Sequence, residues 1–223
     1  MIAGCDRRAA ARAVLLFLIL GAAGPGGAPA RASSAAVGVR YGWADATGEL
    51  FEGSPDLGGC DLVGVQLGIG LASILQVEVA GEYVSQPFDF ARGLFAGVEA
   101  AGRGDYQDLT LLATARLQIF TMTFLPLKLY AGGGANVHYA NLELHDVTEV
   151  PSARFGTGDL EDAIRDVAGK TTQVGWHLVA GTRLAFTGFP FSFFLEGRYQ
   201  DPFKRDDGVP TSKSVYLGAE LSL

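Results

Sequence analysis

The chain has 223 residues, with 17 basic groups against 24 acidic ones and a formal charge of −7. That balance leaves no basic stripe to neutralise phosphates and argues against a nucleic-acid-binding protein. Hydrophobic residues make up 48% and charged residues 18%. Past the N-terminus there is no run of about 18 apolar residues, which excludes a helical membrane span in the mature chain.

The first element is a targeting segment. Arg7, Arg8 and Arg12 precede the apolar core Ala13 to Ala23. Ala28-Pro29-Ala30 and Ala30-Arg31-Ala32 then both fit a small-x-small cleavage rule. The core is too short for the about 20 residues of a membrane anchor. The expectation is a cleaved secretory signal at 1–32 and a single domain at 33–223. Cleavage after Ala32 removes four arginines and Asp6, leaving 13 basic and 23 acidic groups, a net of −10. Cys5 leaves with the signal. Cys60 stays as a lone exported cysteine, read as an unpaired loop residue.

From Ser33 onward the sequence falls into segments of period two, the signature of strands with two unlike faces. Val37, Val39, Tyr41 and Trp43 alternate with Gly38, Arg40 and Gly42. Val63, Val65, Leu67 and Ile69 alternate with Gly64, Gln66 and Gly68. Leu75, Val77, Val79 and Tyr83 stand against Gln76, Glu78, Ala80 and Glu82. Leu109, Leu111, Ala113, Ala115, Leu117 and Ile119 oppose Thr110, Thr114, Arg116 and Gln118. Leu127, Leu129, Ala131, Val137 and Tyr139 oppose Lys128, Tyr130, Asn136 and His138. Val174, Trp176, Leu178, Ala180 and Leu184 oppose Gln173, Gly175, His177 and Arg183. Phe191, Phe193, Leu195 and Tyr199 oppose Ser192, Glu196 and Arg198. Finally Val215, Leu217, Ala219, Leu221 and Leu223 oppose Tyr216, Gly218, Glu220 and Ser222.

These eight predicted strands are joined by connections that alternate in length. Asp45–Asp61, Ser85–Gln107, Ala140–Lys170 and Gln200–Ser212 are long, whereas Leu71–Ile74, Thr121–Pro126 and Ala185–Pro190 are short. In an up-and-down antiparallel sheet this puts the long loops at one end and the tight turns at the other. An even strand number, segments near ten residues and this asymmetry predict an all-β, eight-stranded antiparallel up-and-down transmembrane β-barrel. A soluble, lipocalin-like barrel also alternates, but with its apolar face inward. The faces decide between them. The apolar face carries no charge in any strand. The other mixes charges with small residues, as a narrow bore filled by side chains requires. Aromatic residues gather at both ends: Tyr41, Trp43, Tyr83, Tyr139, Trp176 and Tyr199 at the long-loop end, and Phe120, Phe124, Phe186, Phe189 and Phe191 at the turn end. Two such belts are what bilayer interfaces select.

The terminal strand adds a resemblance. Tyr216, Gly218, Leu221 and Leu223 resemble the C-terminal assembly signal of Gram-negative outer-membrane proteins, with Leu223 where a phenylalanine is usual. The mature chain as a whole resembles the small eight-stranded OmpA-like, opacity-protein-like barrel superfamily, in pattern rather than through a specific motif. The resemblance implies a cell outer-membrane location, outer-membrane lipids and the outer-membrane assembly machinery as partners, a monomer and no cofactor. The resemblance does not extend to a peptidoglycan-binding domain, so the tethering role of larger relatives is not expected.

The candidate site is the polar face. Arg40, Arg116, Lys128, Arg183 and Arg198 confront Glu78, Glu82, Glu196 and Glu220. Buried charges persist when paired and hydrogen-bonded. The expectation is therefore a structural plug of ion pairs, with Glu78, Arg116 and Lys128 at one level; a gated narrow path for small or apolar solutes is the alternative. A lipid-modifying enzyme is the third possibility, since some such barrels use a His with a nearby Ser, but His138, His145 and His177 have no close His-x-Ser pair. No catalytic, cofactor or metal site is assigned. His138, Glu143, His145 and Asp146 cluster without metal-site spacing and read as a solvated loop. Leu160, Ile164 and Val167, between Asp159 and Gly169, predict a short loop helix. The segment "PFDFARGLFAGVEAAG" is expected to rest on lipid headgroups.

Overall fold

A computed structural model of the chain describes residues 35–47, 50, 57–95, 98–122, 126–149, 164, 168–186, 188–203 and 209–223. The predicted signal at 1–32 lies outside the described residues. So does most of the predicted loop helix, of which Ile164 is described as helical, its carbonyl accepting from the Ala168 N–H at 2.7 Å.

Eight strands follow in chain order: β1 (Ala35–Thr47), β2 (Gly58–Gly70), β3 (Leu75–Phe95), β4 (Val98–Thr121), β5 (Leu127–Glu149), β6 (Gly169–Ala185), β7 (Phe191–Pro202) and β8 (Thr211–Ser222). Each pairs antiparallel with its sequence neighbours, and β8 pairs with β1 from Ala36↔Ser222 to Thr47↔Thr211, closing the barrel. Closure leaves no unpaired edge at the level of this seam, as a hydrocarbon solvent demands.

Alternation fixes the faces. On β8, Tyr216 is fully buried while its neighbour Leu217 is 63% exposed. Val215 on the same strand and Val79, Leu111, Leu178, Phe193 and Leu195 on other strands are exposed in the same way. This outer band of large apolar side chains is far beyond what a water-soluble monomer exposes. On β4 the outward residues run Arg103, Asp105, Gln107 and then Leu109, Leu111, Ala113, Ala115, Leu117 and Ile119. The apolar run from Leu109 to Ile119 matches the about 9–11 residues a tilted strand needs to cross a bilayer. Register places Tyr83 and Tyr139 on either side of Leu109, where polarity changes. At the other end Phe120, Phe186, Phe189 and Phe191 are exposed. Phe124 lies outside the described residues.

The strands are far from equal. β3, β4 and β5 have 21, 24 and 23 residues, against 12 or 13 in β1, β2, β7 and β8. The expected long loop Ser85–Gln107 is thus mostly strand, paired from Ser85↔Gln107 up to Phe95↔Val98, and Ala140–Glu149 continues β5. Pro87 concealed this extension, since proline is excluded from central strands. Here β2 pairs with β3 only as far as Leu62↔Val84, so β3 is an edge strand at Pro87 and tolerates it. Across from it the register of β4 and β5 shifts between Ala101 and Arg103, and Asp146 takes a φ of 51°. Two residues of β5 there face one of β4, a bulge that bends the projecting sheet.

The Phe-rich segment is placed differently from expectation. Phe90 is buried and Phe88 packs near it, ring centroids 6.2 Å apart, on the inner face of the projecting sheet. With Leu50, Leu57, Tyr106, Leu142 and Val209 they form an apolar cap over the long-loop end of the bore. Cys60 is likewise not a loop residue: it lies in β2, buried beside Leu62, Phe194 and Tyr216, and forms no disulfide.

Candidate functional site

The bore holds a network of ion pairs. Arg40 on β1 reaches Glu78 at 2.6 Å and Glu82 at 2.9 Å, both on β3, and lies 3.7 Å from Glu196 on β7. Arg116 on β4 meets the other oxygen of Glu78 at 2.5 Å and also binds Glu196. Arg198 on β7 binds Glu82 and, at 2.8 Å, Glu196. Arg183 on β6 holds Glu220 on β8 at 2.9 Å. Gln66 on β2 links the two groups, accepting from Arg40 and donating to Glu220. Four guanidiniums and four carboxylates therefore neutralise one another across six strands.

Aromatic rings complete the packing. The Tyr216 hydroxyl donates to Glu82 at 2.8 Å, and the Tyr130 hydroxyl donates to Glu196 at 3.0 Å. The guanidinium carbons of Arg198 and Arg40 lie 4.7 and 5.6 Å from the Tyr216 ring centroid, and that of Arg116 lies 4.9 Å from Tyr130. Phe194 flanks Arg40 at 5.8 Å. A weakly hydrated, planar cation tolerates such a site better than an ammonium would. Small residues make the room. A Cβ on Gly64 would come within 2.9 Å of Glu82 and 3.1 Å of Arg40, and one on Gly218 would overlap the Phe194 ring.

Eight of the nine predicted interior charges thus meet in one network, and Lys128 does not. The register pairs Arg116 with Gly132 and Lys128 with Thr121, so Lys128 sits four residues along β5 toward the turns. Glu78 bridges Arg116 to Arg40 instead. Among the described residues Lys128 has no ion-pair partner. Sequence reasoning missed Phe194, which is the inward aromatic of β7, two residues before Glu196. The period-two rule carries that signal. It treated Tyr216 only as part of a terminal signal.

Above the plug lies a polar chamber. His138 Nδ1 is 2.7 Å from Asp108 Oδ2 and 3.0 Å from the Thr110 hydroxyl, which itself donates to Asp108 at 3.0 Å. These residues resemble a hydrolytic triad in composition only. A triad needs the imidazole to bridge acid and nucleophile through its two nitrogens, whereas here both partners share Nδ1. His177 Nε2 meets Thr114 at 2.9 Å, and Asn136 donates to Gln200 at 2.8 Å. His145 points outward from the projecting sheet and pairs with Asp105 at 3.2 Å, away from the inward His138. Among the described residues no group of three or more His, Cys, Asp or Glu side chains could hold a metal ion.

The predicted terminal set divides between the faces. Tyr216 and Gly218 face the bore, while Leu221 and Leu223 lie outward beside β1, the Leu223 N–H donating to the Ala35 carbonyl at 2.8 Å.

No family model matches the sequence, and no curated protein matches it significantly. Solved structures do match. Neisserial surface protein A aligns with a TM-score of 0.55 at 13% identity, over 88% of this chain and 100% of that one. The outer membrane protein OprG from Pseudomonas aeruginosa aligns with a TM-score of 0.52 at 13% identity, over 86% of this chain and 96% of that one. At such identities the likeness is one of fold. Together with the closed eight-stranded topology and the apolar outer band, it makes the chain a transmembrane β-barrel with the fold of the small outer-membrane barrels.

Proposed function

We propose that the chain is a monomeric outer-membrane protein, exported by a cleaved signal, whose barrel is a closed scaffold and whose work is done at the long-loop end. The observation that carries this reading is the neutral ion-pair network across the bore. Eight strands leave an interior only wide enough for side chains. Here that interior is occupied by cross-bore pairs with an apolar cap above. This packing of the described residues argues against a continuous polar path for solutes, and the scaffold serves to hold the projecting β3–β4–β5 sheet. The outer face of that sheet is polar: Arg103 pairs with Asp89 at 3.3 Å, and Asn141 donates to Glu143 at 2.8 Å. It stands clear of the apolar band and faces water, the placement of a structural or surface-interaction element. The shared Nδ1 contact of His138 counts against a lipid-modifying enzyme. Closure by β8 supports handling by the outer-membrane assembly machinery, with lipids as the permanent partner. Planar-bilayer recording tests the reading. The native barrel is expected to be electrically silent. Sustained large conductance would replace the scaffold by a narrow channel for small or apolar solutes.

A further inference from the structure

The turn end of the bore holds a cavity of about 200 Å³. We infer that it is a binding site for a small phosphate-class oxyanion, held between Lys128, Arg183 and Arg116. Four arginines and four glutamates cancel in the network, whereas Lys128, which lines this cavity, has no ion-pair partner among the described residues. Beside it is Arg183, its register partner on β6, whose Nε has no hydrogen-bond partner although its terminal nitrogen holds Glu220. At the floor is Arg116, 2% exposed, whose Nε is also without an acceptor. A buried N–H left without an acceptor is destabilising, a condition these two share with the Nε groups of Arg40 and Arg198. Glu220 is the carboxylate on this wall, and it is already held by Arg183, Gln66 and Ser192. Three cationic side chains against the single carboxylate of Glu220 around one space suit an acceptor-only ligand with several oxygens. A cation would meet like charge, and a neutral solute would leave Lys128 unpaired. The site goes beyond the scaffold reading, which makes no use of the turn end.

A phosphate group can arrive free from the aqueous side or on a lipid headgroup of the adjacent leaflet. The full mature chain, refolded in phosphate-free alkyl maltoside micelles, is titrated with inorganic phosphate by calorimetry. Saturable binding is expected, weakened at least tenfold by Lys128→Gln and unchanged by Lys213→Gln, a charge-matched control near the opposite end of the barrel. Lys128 is outside the ion-pair network, so the variant keeps the fold, and heat-modifiable gel migration checks this. The titration is repeated in vesicles of phosphatidylcholine and of phosphatidylglycerol. Equal affinity in micelles and both vesicles assigns the site to a free oxyanion. Binding in micelles that phosphatidylglycerol abolishes assigns it to a headgroup. Absence of saturable binding, or equal affinity in native protein and Lys128→Gln, overturns the proposal.

Discussion

Glu78 is the residue on which the plug turns. Its two oxygens take one arginine each, Arg40 at 2.6 Å and Arg116 at 2.5 Å, and its side chain is fully buried. Replacing it with alanine leaves two guanidiniums facing each other across the bore with one carboxylate fewer. Removing one partner of a buried ion pair costs roughly 3–5 kcal/mol, because the remaining charge keeps its desolvation penalty and loses its compensation. Glu78→Ala is therefore expected to lower the refolding free energy in lipid, read from urea titrations, by that amount and to admit small current steps in a bilayer, as repulsion opens a water path. Glu78→Gln, which keeps the volume and one acceptor oxygen, should lie between the two. An alanine variant as stable as the native protein would mean that Arg40 and Arg116 are satisfied by Glu82 and Glu196 alone. Lys128 makes the same point from the other side. Its place in sequence gave it the same polar face as Arg116, but the stagger of β4 against β5 decides which polar residues meet, and stagger is not written in a period-two pattern.

At the scale of the element, each strand carries its own depth gauge. Ala113 faces outward near the middle of the Leu109–Ile119 run, and Gln107 faces outward six residues away, beyond the level of Tyr83 and Tyr139. An arginine at Ala113 is expected to cost about 2–4 kcal/mol, whereas the same change at Gln107 should cost about 0–1, since the price of a lipid-facing cation falls toward the interface. Refolding titrations of Ala113→Arg and Gln107→Arg in one lipid check both. Equal costs would mean that the polarity change along β4 does not mark the bilayer surface. Alternation made the eight strands, their order and their two faces legible, because side-chain period is set by the backbone alone. Strand length was hidden wherever the outward residues turn polar: Ser85, Pro87 and Asp89 read as loop although their inward partners Phe88 and Phe90 keep the period. The same blindness put Cys60 in a loop, because Gly58 and Gly59 beside it imitate a turn. Of the candidate site, the charged residues were legible as a set. Their pairing was not, because it joins residues as far as 116 positions apart, as Arg198 is from Glu82, through register and side-chain reach.

For the whole molecule, closure is the property that the rest depends on. The seam between β8 and β1 pairs Leu221 with Val37 and Ser222 with Ala36, and on the other side Leu221 faces Phe191. The Ser222 N–H donates to the Pro190 carbonyl at 2.7 Å, so this end of β8 is tied to both neighbours. Removing Leu221–Leu223 takes away these rungs and frees backbone groups of Ala35, Val37 and Pro190 near the turn-end interface. Water is scarce there, and an unsatisfied backbone group in hydrocarbon costs several kcal/mol. The truncated chain is expected to lose its heat-modifiable band both in cells and when refolded from urea into vesicles. Leu223→Ala separates two roles of the segment, since it keeps every backbone rung and removes one outward side chain. If the terminal residues act through closure, Leu223→Ala refolds in vesicles like the native chain while the truncation does not. If they act as a signal for the assembly machinery as well, Leu223→Ala refolds in vesicles yet accumulates poorly in outer membranes. A truncated chain that refolds normally in vesicles would show that β8 closes the barrel without its last rungs, and the seam would then have to be held by the pairs from Glu220↔Gly38 to Thr211↔Thr47 alone.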